Sequence, residues 1–415
     1  MSLRRSIPAG LVDTGATALA SFLVQAYAVR VFEADLLGAY ALFFSAYLLA
    51  NLTPQFLVLY PLEIWSLRLS RPDRLGLLYR SGKLAAAAPV TAGAGVLLAA
   101  LFVTGETTGP QVLRLALTSG LVAVTAPFYE HLKRMMHLSE RSSWAAATAV
   151  AQLVLSATGI GLAVAADLEP VVVPFGVLAV SQAGAIWFGL AAIRRRPVAR
   201  VDLATPTVEL MRSGRWLLVA GLGPAGAVFA GAALVSHLAG SDQLGFAQAA
   251  HVAARPVLVL AAGLAAVLGF RMMEAGAIRS ATAGIRFWKV YAMVLGVGSS
   301  IYLLVVAVDW VGNPLAALLP RAYEVQWLVA VTIAANLLAS LIRPARDELI
   351  GAGRELRVAQ IDVSAAGGVV VVAALAGSLE AFAIPLGVLA FAAIQIGSYI
   401  PARKRLYAGE VADPS

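Results

Sequence analysis

Residues 244–270 read LGFAQAAHVAARPVLVLAAGLAAVLGF. The run is longer than the roughly 20 residues that carry an α-helix across a 30 Å hydrocarbon layer. Its one charge, Arg255, stands about a dozen residues from either end. A central arginine costs roughly 2.5 kcal/mol or more even on the mildest insertion scale. Reaching either membrane surface from there is a poor escape. Pro256 follows it and frees a nearby backbone carbonyl. Such a residue needs either a wet cavity or a buried carboxylate. Asp13 and Asp362 are the candidate carboxylates for an ion pair.

The rest of the chain has the same character. Of 415 residues, 60% are hydrophobic and 13% charged, and the mean hydropathy is +0.82. A typical soluble domain is nearer half apolar and a quarter charged. A soluble fold must still show water a surface that is roughly half polar, which this composition cannot supply. A secreted globular enzyme, a disordered scaffold and a nucleic-acid-binding domain are excluded. There is no cysteine, so disulfides, thiolate metal sites and thiol catalysis are excluded too. His131, His137, His237 and His251 include no pair at helical metal-site spacing. No P-loop and no catalytic constellation is present, and no cofactor or metal is expected.

Twelve membrane spans are predicted, at 9–31, 38–62, 84–104, 112–132, 143–166, 171–193, 216–238, 244–270, 289–311, 325–345, 358–378 and 382–401. The first is too long for a cleaved leader's apolar core, and the second follows within a few residues. With the N-terminus placed in the cytoplasm, 27 of the 31 Lys and Arg fall on that side. They cluster at 4–5, 68–83, 133–141, 194–215, 271–289, 343–357 and 403–405. Arg30, Arg114, Arg255 and Arg321 are the exceptions. The expected location is a bacterial plasma membrane, multi-pass, with both termini cytoplasmic and anionic lipid headgroups against the basic loops.

The basic connection 194–215 divides the chain into an N-terminal six-helix lobe, 1–193, and a C-terminal one, 216–415. The lobes are weakly self-similar. Arg30, Asp35, Leu37 and Gly38 recur as His237, Asp242, Leu244 and Gly245, always 207 residues later. Pro127-x-x-Glu130-x-Leu132 recurs as Pro344-x-x-Asp347-x-Leu349. Both lobes start on the same side, so a pseudo-two-fold along the membrane normal should relate them.

Polar residues inside the spans form stripes. The first span carries Asp13, Thr17, Ser21 and Gln25, each four apart, on one helical face. The second has Tyr47, Asn51 and Gln55; the eighth has Gln248, His251 and Arg255; the tenth has Thr332, Asn336, Ser340 and Arg343. Such groups either bond one helix to another or line a cavity. Arg30 lies at the end of its span, where an interfacial arginine is equally at home. Asp13 lies near the other end, where a helix N-terminus stabilises a carboxylate.

One stretch resembles a known family. Ala28-Val-Arg30-Val-Phe-Glu-Ala-Asp-Leu-Leu-Gly38-Ala-Tyr40-Ala is similar to the first hairpin of polysaccharide flippases of the O-antigen and teichoic-acid export type. These belong to the multidrug/oligosaccharidyl-lipid/polysaccharide exporter superfamily. The second lobe repeats the pattern as Ala239-Gly-Ser-Asp-Gln-Leu-Gly-Phe-Ala. Leu318-Leu-Pro-Arg-Ala-Tyr323 and Leu349-Ile-Gly-Ala-Gly-Arg354 match further family segments, with Pro320 where Gly is commoner.

The resemblance implies a flippase that moves a polyprenyl-pyrophosphate-linked oligosaccharide between leaflets by alternating access, for cell-surface polysaccharide assembly. Arg255 and Arg30, with His251, would then face the pyrophosphate, and Asn51, Gln55, Gln25, Gln248 and Tyr47 the sugar. Glycosyltransferases or a polymerase of the same pathway would be partners, alongside the lipid-linked substrate and membrane lipids. A proton- or sodium-coupled multidrug exporter of the same fold, with Asp13 as the ion site, is the alternative. A non-transporting membrane scaffold in envelope-polymer assembly is the third reading.

Overall fold

The computed structural model describes residues 3–59, 61–62, 73, 88–105, 107–139, 141–194, 207–308, 313–320, 323 and 326–408. Twelve principal helices follow in order. They are α1 (Leu3–Val31), α2 (Ala34–Pro54), α3 (Ala88–Leu101), α4 (Gly109–Leu138), α5 (Ser142–Ala165) and α6 (Val173–Arg194). Then come α7 (Thr207–Leu238), α8 (Ser241–Ala277), α9 (Ala281–Ala307), α10 (Gln326–Leu341), α11 (Glu355–Ala373) and α12 (Ala383–Ala408). Among the described residues, 11 helices are long and apolar enough to cross a membrane, and α3 is a shorter apolar one. Positions 84–87 of the expected third span lie outside the described residues.

Local signals set several boundaries. Pro110 sits in the first turn of α4, and the Thr108 N–H donates to the Gln111 side chain at 2.9 Å in a capping box. Ser280 caps α9 by accepting from the Ala283 N–H. Pro54 ends the regular part of α2, and the chain continues as a π-helical segment, Gln55–Leu59. Pro344 opens a separate helix, Arg343–Gly351, that extends α10. Several expected ends shift. The ninth span starts at Ala281 rather than 289, α7 is already helical at Thr207 within the 194–215 connection, and α4 runs to Leu138 rather than 132.

Packing repeats every six helices. α1 packs on α5 and α7 on α11; α5 on α6 and α11 on α12; α4 on α6 and α10 on α12. α2 packs on α3 and α8 on α9. Between the lobes, α1 meets α8 as α7 meets α2, and α2 meets α8 on the symmetry axis itself. This is the all-α, two-lobed architecture expected from the duplicated sequence.

The repeated glycines sit on that axis. A Cβ at Gly38 would run into the Ser241 carbonyl oxygen, and one at Gly245 into the Ala34 carbonyl oxygen. Ala34 and Ser241 are themselves 207 residues apart. The contact is therefore reciprocal: each lobe offers its glycine to the other's helix start. Only a residue without Cβ permits so close a crossing. Around it, the Ser241 hydroxyl donates to the Asp35 carbonyl (2.9 Å), the Thr104 hydroxyl to the Ser236 carbonyl (2.8 Å) and the Tyr323 hydroxyl to the Phe32 carbonyl (3.0 Å). All lie at the end of the molecule that carries the short hairpins, which these contacts close. The opposite end carries the basic connections.

Gly38→Val and Gly245→Val should each lower the unfolding midpoint in detergent by several degrees, since overpacking alone costs roughly 1–3 kcal/mol. Gly15→Ala should leave it unchanged or raise it, because nothing lies within 4 Å of that position. Equal midpoints for all three variants would rule out the glycine crossing as a constraint.

Candidate functional site

A cavity of about 1110 Å³ lies mainly within the N-terminal lobe. Its wall is built from α1 (Gly10, Asp13, Thr14, Thr17, Ser21), α2 (Phe44, Tyr47, Leu48), α4 (Ala126, Glu130, Lys133, Arg134, His137), α5 (Ser142, Gln152) and α6 (Leu178, Gln182). α8 closes it from the other lobe with Arg255 and Val267. The cavity thus extends from mid-membrane, at Ser21 and Arg255, to the helix ends at Gly10, His137 and Ser142. Those ends belong to the basic side of the molecule.

Arg255 faces this space. Its Nη2 donates to Ser21 Oγ at 2.8 Å. Among the described residues no carboxylate is within ion-pair distance of it. Both expected partners are engaged elsewhere. Asp362 accepts from Arg346 Nε (3.0 Å), Gln395 Nε2 (2.8 Å) and the Tyr399 hydroxyl (2.8 Å). Asp13 is held by Lys133. The proposed Arg255–Asp13 and Arg255–Asp362 pairs are therefore replaced by a serine contact and a cavity.

At the basic end the wall carries a charged cluster. Lys133 Nζ donates to Asp13 Oδ1 (2.9 Å) and to Thr17 Oγ1 (2.8 Å), and lies 3.3 Å from Glu130. It also sits 4.6 Å from the Tyr129 ring centroid. His137 Nε2 donates to Asp13 Oδ2 at 2.8 Å. Glu130, Lys133 and His137 are spaced three and four apart, so one face of α4 meets the Asp13–Thr17 face of α1. Asp13 and Lys133 are both buried, at 8% and 4% exposure.

The sequence reading puts Lys133 in a basic loop. The structure corrects this, because α4 continues past residue 132 and turns the lysine inward. The i, i+3, i+4 run Glu130, Lys133, Arg134, His137 is the available signal. Ending the span at the first cluster of charges masks it.

Of the residues singled out in the sequence, the cavity brings together Arg255, Tyr47, Asp13, Thr17 and Ser21. Gln25 and Gln248 are buried in the packing between α1, α2 and α8. His251 lies a turn from Arg255 on α8, half-buried, and is not part of the wall. Asn51 and Gln55 are half-buried at the end of α2 and the start of the π-helical segment. Arg30 is exposed in the last turn of α1, at the hairpin end. Among the described residues no group of three His, Cys, Asp or Glu side chains is placed to hold a metal ion.

No known family profile and no curated protein sequence matches the chain. Solved structures do. A MOP superfamily transporter from Pyrococcus furiosus, described by the reverse polarity of its binding pocket, superimposes with TM-score 0.70 at 15% identity over 98% of this chain and 96% of its own. The MATE multidrug transporter DinF-BH gives TM-score 0.67 at 12% identity, with 98% and 96% covered. An inward-facing multidrug resistance MATE family transporter of the MOP superfamily gives 0.65 at 13%, again with 98% and 96% covered. The fold is that of the MATE transporters. At these identities the likeness establishes the MATE fold and not a substrate.

Asp13→Asn should destabilise the protein by about 3–5 kcal/mol, the usual result when one partner of a buried ion pair is removed. Lys133→Met added to it should recover part of that loss. Thermal unfolding of the two single variants and the double variant checks this. Strict additivity would show that the two side chains are not coupled.

Proposed function

We propose that this protein is an alternating-access flippase for a polyprenyl-pyrophosphate-linked oligosaccharide, and that Arg255 receives the pyrophosphate. One observation carries the reading: a guanidinium halfway along a membrane helix lines an open cavity, bonded to a serine and, among the described residues, to no carboxylate. A cation so placed has hydrogen-bond donors to spare, and a pyrophosphate matches the planar fork of arginine.

The physical problem is a polar, multiply charged headgroup in hydrocarbon, where unpaired charge is prohibitively costly. A cavity with polar walls lowers that cost while the polyprenyl tail stays in lipid. Tyr47 and Gln182 line the same space and offer donors and acceptors to sugar hydroxyls. The closed hairpin end and the cavity's reach to the basic end support loading from the side of the basic connections, the cytoplasm by the positive-inside rule. The lobes would then rock about the α2–α8 crossing and open the hairpin end. An interior-negative potential assists, since two negative charges moving outward gain about 4.6 kcal/mol per 100 mV. On this reading Arg30, exposed at the hairpin end, would meet the departing anion.

The likeness to multidrug MATE structures favours a second reading, a cation-coupled drug exporter using Asp13. Against it, Asp13 already accepts from Lys133 and His137, so a coupling proton or sodium ion would have to compete with a tethered lysine.

Under the flippase reading, Arg255→Ala inserts normally but loses export by tenfold or more, with lipid-linked precursor accumulating on the cytoplasmic side. Arg255→Lys retains part of the activity. Intact export in Arg255→Ala, measured by surface polysaccharide and precursor pools, would overturn the assignment. Drug resistance that tracks Asp13→Asn would favour the exporter, and an Arg255→Ala effect on stability alone would favour a scaffold.

A further inference from the structure

On the hairpin side of Arg255, three buried side chains have polar atoms with no hydrogen-bond partner among the described residues. Gln25 on α1 is 0% exposed, and neither its amide oxygen nor its nitrogen is hydrogen-bonded. The Tyr40 hydroxyl on α2, 1% exposed, has no partner, and neither does Gln248 Nε2 on α8, 8% exposed. At 0% exposure no water-sized sphere touches Gln25. Buried polar groups in native proteins are nearly always satisfied, and each exception needs a reason.

Their placement gives one. α1 and α8 run antiparallel, and the Arg255–Ser21 bond fixes their register. Gln25 is one turn beyond Ser21, and Gln248 about two turns beyond Arg255, both toward the hairpins. α1 and α2 each pack on α8, and Val24, Ala28, Tyr40, Ala249 and Val252 belong to one buried apolar cluster, in which the Tyr40 ring lies against Phe32, Phe44 and Phe175. α1 and α2 belong to one lobe and α8 to the other, so the seam is the boundary that rocking would part. No charged side chain belongs to the trio, and what it offers is neutral donors and acceptors.

We infer that Gln25, Tyr40 and Gln248 form a subsite for sugar hydroxyls, shut in this conformation and exposed when the hairpin end opens. It rests on the flippase reading and adds the place where the glycan is held after the lobes have moved. The unsatisfied groups disfavour the closed seam, and the sugar satisfies them in the open one. The seam therefore helps to set the balance between the two conformations, and its chemistry selects a glycosylated lipid over a bare one.

The test uses the full chain in proteoliposomes, with a fluorescent polyprenyl pyrophosphate that either carries a disaccharide or is bare. Gln25→Leu should raise the unfolding midpoint by a few degrees, because it removes an unsatisfied group. It should slow flipping of the glycosylated lipid by tenfold or more and leave the bare lipid within twofold. Tyr40→Phe and Gln248→Leu should act in the same direction. The chain has no cysteine, so Gln248→Cys gives a clean probe. It should react with a membrane-impermeant maleimide only while glycosylated lipid turns over. Unchanged flipping of the glycosylated lipid in all three apolar variants, equal losses for both lipids, or labelling independent of substrate would each overturn the subsite. Arg255→Ala separates the two proposals. If it abolishes flipping while Gln25→Leu does not, the anion site stands and the sugar subsite falls. If Arg255→Ala is silent while Gln25→Leu loses the glycosylated lipid, the reverse holds.

Discussion

A permanently charged guanidinium at the middle of a membrane helix must be solvated by something. Lipid cannot do it, and in this protein no carboxylate among the described residues does it either. The two carboxylates that the sequence offers as partners are engaged elsewhere, Asp13 by Lys133, His137 and Thr17, and Asp362 by Arg346, Gln395 and Tyr399. What remains is the cavity and the Ser21 hydroxyl. The helices that form the wall, the lobe boundary they share and the polarity of their inward faces follow from the need to keep Arg255 wet.

The two lobes share a topology but not a use. In the C-terminal lobe two buried acids, Glu348 and Asp362, are tied by hydrogen bonds. Glu348, 0% exposed, accepts from Arg403 Nε (2.6 Å) and the Tyr407 hydroxyl (2.8 Å), and Asp362 has its three donors. These networks tie α11, α12 and the helix that extends α10 into one body. The N-terminal lobe gives the corresponding region to a cavity, with its acid–base cluster on the wall. Reciprocal glycines hold the two lobes together at the hairpin end, where a small change in crossing angle would have a large effect on closure.

Much of this is legible in the sequence. Hydropathy and basic residues give the helices and their order, because both report on lipid directly. The Leu-Gly repeat 207 residues apart is visible as a repeat. Its reason, two glycines each meeting the other lobe's main chain, needs coordinates. The polar stripe of α1 divides: Asp13, Thr17 and Ser21 face the cavity, and Gln25 lies in the seam. Periodicity gives a face, but not which neighbour covers each turn of it. A charge cluster reads as the end of a span, and that misplaces Lys133, whose charge is met by Asp13 and Glu130 inside the protein. In α8 the stripe Gln248, His251, Arg255 marks one face, but only Arg255 of the three reaches the cavity wall.

The most direct test is a binding comparison. A long-chain polyprenyl pyrophosphate and the matching uncharged polyprenol are offered to the purified protein and to Arg255→Gln, with binding followed by native mass spectrometry. The account requires the pyrophosphate to bind the wild type at least tenfold more tightly than the alcohol, and the variant to lose most of that preference. Equal affinities in the wild type, or a preference that survives the substitution, would show that the buried arginine is not what meets the charge.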